Sequence, residues 1–257
     1  MTWVRCAVVD EFPDDLSVQL RPGRAPGWCS DGRYGKNAPV NPEAILFDLD
    51  GTLVDSEREN VESVVLAARR LGAELSAEER AFIIGHSWNE IHAQITQNHA
   101  LSVSMDDLIA SAVDEKRALL ASTGYRALPG AHAAIRRLGA RCPLAVVSGA
   151  SRAEVRDALD SLGVMSSIQL WLGAEDYARG KPAPDSFALA MERLAVTPCR
   201  CVAIEDATPG VLSARAAGAR VVGVRAGNFS GYDLSAADAV VDTLDDVTDQ
   251  LCERLVA

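Results

Sequence analysis

Ala44-Ile45-Leu46-Phe47-Asp48-Leu49-Asp50-Gly51-Thr52 is an apolar run that breaks into two acids, a glycine and a threonine. Four uncharged residues of high strand propensity followed by Asp/Gly punctuation read as a buried strand entering a loop. Residues i and i+2 of an extended chain share a face, so Asp48 and Asp50 can project toward one small volume beyond the strand's carboxyl end. Open parallel sheets bind ligands at that edge. Two carboxylates crowded there repel each other. A divalent cation relieves the repulsion, as does a division of labour in which one acid stays ionised and the other carries a proton. Gly51 permits a sharp turn, and the Thr52 hydroxyl can hold a carboxylate in place.

Competing readings of the stretch fit poorly. A helix-loop-helix calcium site wants glycine at its sixth position, where this chain has Leu53, and wants a helix before the loop. The magnesium strand of a P-loop nucleotide hydrolase needs a phosphate loop as well. Gly32-Arg33-Tyr34-Gly35-Lys36-Asn37 lacks both the first glycine at the required spacing and the hydroxyl after the lysine.

Working outward, strand and helix patterns alternate. Asp55-Ser56-Glu57 reads as a helix start with acids in the first turn, and Val61, Val64, Val65, Ala68 and Leu71 then recur at helical spacing. Helical segments are expected around 76–83, 88–99 and 104–122, with no convincing strand from Asp55 to about Tyr125. This helical insert is a plausible lid. After Leu128-Pro129-Gly130 the pattern gives a helix over 131–138, a strand over 143–147 ending in Ser148-Gly149, and a helix over 151–162. The N-terminus of that last helix reads as a ready anion site. A weaker strand over 168–172, helix 184–195, strand 201–206, helix 208–217 and strands over 220–224 and 239–241 follow. Such alternation predicts an α/β fold: a Rossmann-like parallel sheet core with helices on both faces. The expected boundaries are core segments 43–55 and 127–257, a helical cap over 56–126, and a weakly ordered N-terminal extension over 1–42.

The 257 residues suffice for one large core without staples, and 48% hydrophobic with 24% charged residues is ordinary for a globular protein. A formal charge of −11 argues against nucleic acid or an anionic membrane as partner. A phosphorylated small molecule remains open, because a metal and one or two cations can invert the field locally. No apolar run approaches membrane-spanning length and no signal peptide is evident, so the expectation is a cytoplasmic protein, with a monomer favoured. The six cysteines form no C-x-x-C pair and read as mostly reduced thiols.

Three strands therefore end in chemistry: Asp48 with Asp50, then Ser148, then Glu205 with Asp206. A loop stiffened by prolines adds Lys181 in Gly180-Lys181-Pro182-Ala183-Pro184. In that order these four motifs resemble the haloacid dehalogenase-like superfamily over roughly residues 43–245. The resemblance implies a phosphatase in which Asp48 is the nucleophile, forming an aspartyl-phosphate, and Asp50 protonates the leaving oxygen and then activates water. It implies Mg²⁺ held by Asp48, the Asp50 carbonyl oxygen and Asp206, with Lys181 offsetting charge and Ser148, Gly149 and Thr52 around the phosphate. Glu205 can ligate the metal, bind a metal water or shape the loop; a place in the metal's shell is favoured. Ser148 alone could be a helix-entry residue. Arg152 can reach phosphate or lie on a solvated helix face; the helix face is favoured. The histidines at 86, 92, 99 and 132 lack acidic partners at metal-binding spacing.

Within the superfamily, an insert after the first motif resembles the group of sugar phosphatases, phosphoglycolate phosphatase and β-phosphoglucomutase. Asp50 favours phosphoryl transfer over dehalogenation, because a departing halide needs no proton. The mutases, and many sugar phosphatases, carry a histidine where this chain has Asn60; the mutase lid also carries an arginine where this chain has Trp88, and Lys116 resembles a lid lysine of both groups. These departures favour a phosphatase acting on a small phosphorylated sugar or sugar acid, with a mutase as the alternative. A catalytically idle metal-binding domain is a further one.

Overall fold

The computed structural model describes residues 19–20 and 41–257, apart from 85 and 87. The quoted stretch forms strand β2 (Ala44–Phe47), every residue of which is fully buried. It is the central rod of the sheet, and its side chains alternate between two cores. Ile45 and Phe47 pack into one apolar cluster, Ala44 and Leu46 into the other. A parallel strand covered on both faces has no solvent side, so the run is apolar without alternation.

Parallel neighbours flank it. In chain order they are β5 (Leu144–Val147), β6 (Leu170–Leu172), β7 (Cys201–Glu205), β8 (Arg220–Val224) and β9 (Ala239–Val241), giving the spatial order β9-β8-β7-β2-β5-β6. At the open edge Gln19–Leu20, strand β1, pairs antiparallel with β9. That two-residue strand lies in the segment expected to be weakly ordered; the remainder of that expectation, up to residue 40, falls outside the described residues. Helices α5 (Ala131–Gly139), α6 (Arg152–Ser161) and α9 (Asp249–Val256) supply Ile135, Leu159 and Leu251 to the face of Phe47. Helices α7 (Asp185–Leu194) and α8 (Thr208–Ala216) supply Phe187, Met191 and Val211 to the face of Leu46.

The helical insertion comprises α1 (Glu57–Arg70), α2 (Ala77–Ile83), α3 (Trp88–His99) and α4 (Met105–Thr123), closed around a third cluster that includes Val64, Ala68, Ile95 and Leu108. Ser76 and Ser104 cap α2 and α4, accepting from the amides of Glu79 at 3.2 Å and Asp107 at 3.1 Å. The chain leaves the core through β3 (Val54–Asp55) and returns through β4 (Arg126–Ala127), which pair antiparallel. Asp55 therefore belongs to this short ladder rather than to the helix start, and the Arg126 guanidinium pairs with its carboxylate at 3.1 Å. The strand expected from residue 168 begins at Leu170, because Met165–Ser167 close a 3-10 turn first. Among the described cysteines Cys142, Cys201 and Cys252 are free thiols, in keeping with the expectation of mostly reduced cysteines, and Cys199 is disulfide-bonded.

Candidate active site

The site is built at the carboxyl ends of β2, β5 and β7. Asp48 N–H donates to the Ile204 carbonyl at 3.0 Å, continuing the ladder one residue past the strand. The chain then wraps around the buried Leu49, whose carbonyl accepts from Leu53 N–H at 2.8 Å and Val54 N–H at 3.0 Å. Gly51, at φ +81°, makes that turn possible, and a Cβ there would collide with the Asp206 carboxylate. Asp48 and Asp50 both reach the resulting cavity, of about 320 Å³.

Asp48 and Lys181 meet across it. Lys181 Nζ donates to Asp48 Oδ1 at 2.5 Å, to Glu205 Oε1 at 2.6 Å and to the Val147 carbonyl at 3.1 Å. Burial alone would push the lysine down; the two carboxylates outweigh it and hold the ammonium well above its ordinary pKa. Asp206, next along the chain, accepts from Thr52 Oγ1 at 3.2 Å. Ligand oxygens of Asp48, Glu205 and Asp206 lie within 4.8 Å of one another, and all three residues are buried. Burial raises the pKa of Asp48 despite the pull of Lys181, and burial followed by repulsion from Asp48 and Glu205 raises that of Asp206.

These residues fit a divalent cation. Three carboxylates against one ammonium leave a formal deficit of two positive charges, and the donor set consists of hard oxygens. Glu205 is the most committed of the three. Its Oε1 takes Lys181, while Oε2 accepts from the amides of Asp206 at 3.2 Å and Ala207 at 3.3 Å. Gly210 of α8 lies directly against it, where a Cβ would overlap the carboxylate.

Ser148, 1% exposed at the end of β5, accepts at Oγ from Ala150 N–H at 3.0 Å and lines the cavity with Gly149. Lys116 reaches in from α4, its Nζ 3.6 Å from Asp50 Oδ1.

Arg152 is not brought to the cavity. Its guanidinium pairs with Asp176 at 2.5 Å and stacks over the Trp171 ring at 4.8 Å, and it lines neither the cavity nor the space beside it. The anion site expected at the start of that helix is also filled from within. Ser151 N–H donates to Glu154 Oε2 at 2.9 Å, and Arg152 N–H to Glu175 Oε2 at 2.8 Å. A capping box supplies the helix dipole with carboxylates that a phosphate would otherwise provide.

Sequence reasoning missed the loop after β8, which brings Phe229, Ser230 and Tyr232 to the cavity. The available signal was Gly227-Asn228-Phe229-Ser230-Gly231, a turn-rich run directly after an apolar strand ending at the same sheet edge. Asn228 pins the loop, donating to the Tyr232 carbonyl at 2.7 Å and accepting its N–H at 2.6 Å. A second chamber of about 450 Å³ opens between core and helical insertion, sharing Asp50, Glu57, Asn60 and Tyr232 with the first. Glu57 was read only as a helix-start acid. Burial and then the neighbouring Asp55 raise its pKa, with Lys116 opposing.

Comparisons with known proteins agree with this architecture. The family model described as haloacid dehalogenase-like hydrolase matches residues 45–224. Hexitol phosphatase A of Escherichia coli K12 is 35% identical over 210 residues, covering 80% of this chain and 93% of the relative. The bifunctional riboflavin kinase/FMN phosphatase of Arabidopsis thaliana is 28% identical across 79% of the chain, which spans about half of that protein's length (54%). Among solved structures, CbbY from Rhodobacter sphaeroides in complex with phosphate superposes with a TM-score of 0.66 at 26% identity, over 79% of this chain and 95% of that one.

Proposed function

The chain belongs to the haloacid dehalogenase-like hydrolase family, and from that premise we propose that this phosphoric monoester hydrolase is a Mg²⁺-dependent phosphatase of a small phosphorylated sugar or sugar acid. The observation that carries the reading is the convergence of Asp48, Glu205 and Asp206 around one point with Lys181 opposite.

Asp48 attacks the phosphorus, and its new P–O bond forms as the bond to the leaving alcohol breaks, giving an aspartyl-phosphate. Asp50 gives its proton to the departing oxygen, then takes one from the water that attacks the same phosphorus; inorganic phosphate leaves and Asp48 is restored. Asp48, Asp206 and the Asp50 carbonyl oxygen would hold the metal, with Glu205 behind them. Mg²⁺ bound there would neutralise phosphoryl oxygens so that a carboxylate can approach. Lys181 orients Asp48 through its 2.5 Å contact and offsets the gathered negative charge. The Ser148 hydroxyl and the Gly149 segment face the equatorial oxygens, and Thr52 keeps Asp206 turned inward.

The decisive measurement is phosphate release from p-nitrophenyl phosphate with and without Mg²⁺. Asp48→Asn is expected to reduce kcat by at least about 10³-fold. Undiminished turnover in that variant would remove Asp48 as nucleophile, and turnover by the native protein excludes a catalytically idle domain. Mutase chemistry needs a grip on a second phosphate. Trp88 stands in the second chamber, which contains Lys116 but no arginine among its described lining residues. Absence of glucose 6-phosphate from β-glucose 1-phosphate and catalytic bisphosphate is the expected result.

A further inference from the structure

The second chamber opens beside Asp50, the acid proposed above to protonate the leaving alcohol, and its charged lining is mostly acidic, with Lys116 and His86 as its basic residues. Lys116 is already faced by Asp50 at 3.6 Å. Two more carboxylates border the same space, Glu57 and Glu154. Glu154 is occupied by Ser151, accepting its N–H at 2.9 Å and its hydroxyl at 2.6 Å. Glu57 makes no hydrogen bond or ion pair among the described residues, although Asp55 and Lys116 act on it at longer range.

Asn60 follows three positions later on α1, on the same helical face. Both side chains border both halves of the cleft. A carboxylate only accepts hydrogen bonds, whereas a carboxamide both donates and accepts. Side by side they suit hydroxyl groups, each of which gives one hydrogen and takes another. Val64, Trp88 and Ile91 add an apolar wall on which the C–H face of a sugar can rest. A leaving group bearing a carboxylate or second phosphate would meet Glu57 in a partly desolvated space whose lysine is already balanced.

We propose that Glu57 and Asn60 are specificity determinants that bind the hydroxyls of an uncharged sugar or polyol phosphate, and that Glu57 bars leaving groups carrying a second anion. This rests on the phosphatase reading above and narrows it to the neutral half of the substrates named there.

The test pairs neutral with anionic esters of equal chain length: glycerol 3-phosphate against 3-phosphoglycerate, and glucitol 6-phosphate against 6-phosphogluconate. Native protein with Mg²⁺ is expected to prefer the neutral member of at least one pair by about tenfold or more in kcat/KM, and Glu57→Gln to bring that ratio close to one. Calorimetric binding of the same esters to Asp48→Asn, alone and combined with Glu57→Gln, should show the same shift without turnover. No preference in either pair, or a preference that Glu57→Gln leaves intact, overturns the proposal. A protein that hydrolyses none of these esters nor p-nitrophenyl phosphate, yet discriminates in calorimetry, would overturn the phosphatase reading and leave this one standing.

Discussion

Lys181 is one ammonium holding two buried acids, and replacing it tests both stability and chemistry. Lys181→Met leaves Asp48 and Glu205 facing each other without their cation. Breaking a buried ion pair from one side costs about 3–5 kcal/mol, so urea unfolding should show a loss of that order. Turnover should fall by at least about 10²-fold, as for other groups that stabilise developing charge. Arg152 is the contrasting case. Its guanidinium is engaged by Asp176, whose side chain is nearly covered, and by the Trp171 ring, away from the cavity. Arg152→Ala should therefore leave inhibition by inorganic phosphate within about twofold of native; a loss of tenfold or more would return Arg152 to the phosphate site. The meeting of Asp48, Lys181 and Asp206 at one sheet edge was legible because each stands in a short motif at a strand end or in a stiffened loop. The pairing of Arg152 was not, since Asp176 lies across the next strand, a contact that no local pattern specifies.

At the scale of elements, the helical insertion depends on one buried glutamate. Glu79 accepts from Ser76 N–H at 2.8 Å, from Asn98 Nδ2 at 2.9 Å, and lies 2.9 Å from His99 Nε2, fastening the start of α2 to the end of α3. Burial opposes its ionisation, but these hydrogen bonds prevail and bring its pKa down to about 2. A depressed carboxyl stabilises the fold above its unfolded pKa, near 4.5, and the benefit disappears as pH falls toward 2. The full linkage is at most roughly 3 kcal/mol. Glu79→Gln should thus flatten the acid limb of a stability profile between about pH 4.5 and 2, while costing stability at neutral pH. An unchanged acid limb would deny Glu79 that role. The helices that were expected were readable to within a residue or two, because Ser76, Ser104 and Ser151 cap in the usual manner, whereas α9 was not anticipated. The pairings β1–β9 and β3–β4 escaped, since two residues carry no periodicity.

For the whole molecule, a cation held among the crowded acids would be a folding term. A ligand held only by the native state stabilises it by about 2.7 kcal/mol at a hundred times its Kd, which for a chain of this size raises Tm by roughly 5–10 °C. Mg²⁺ should produce such a rise in a thermal melt and EDTA should reverse it. Asp206→Asn should abolish the response; a melt insensitive to Mg²⁺ in the native protein would contradict the cation site. The layered sheet could be anticipated from alternating strand and helix patterns, whereas the cleft's outer wall could not. Phe229 and Tyr232 stand 47% and 45% exposed on a loop whose position follows from packing rather than from sequence spacing.

The antiparallel pairing of Val54 with Ala127 and Asp55 with Arg126 means that the polypeptide departs and comes home through a single doorway. A two-residue reverse turn of the Asn-Gly kind could join those rungs directly, so the four-helix passenger can be excised without severing any strand of the sheet that bears Asp48. Such a shortened protein should still fold, as near-native far-UV circular dichroism of the core and a cooperative melt would verify. Grafting a different passenger onto the same doorway would then alter which esters are admitted while the machinery that breaks them stays in place.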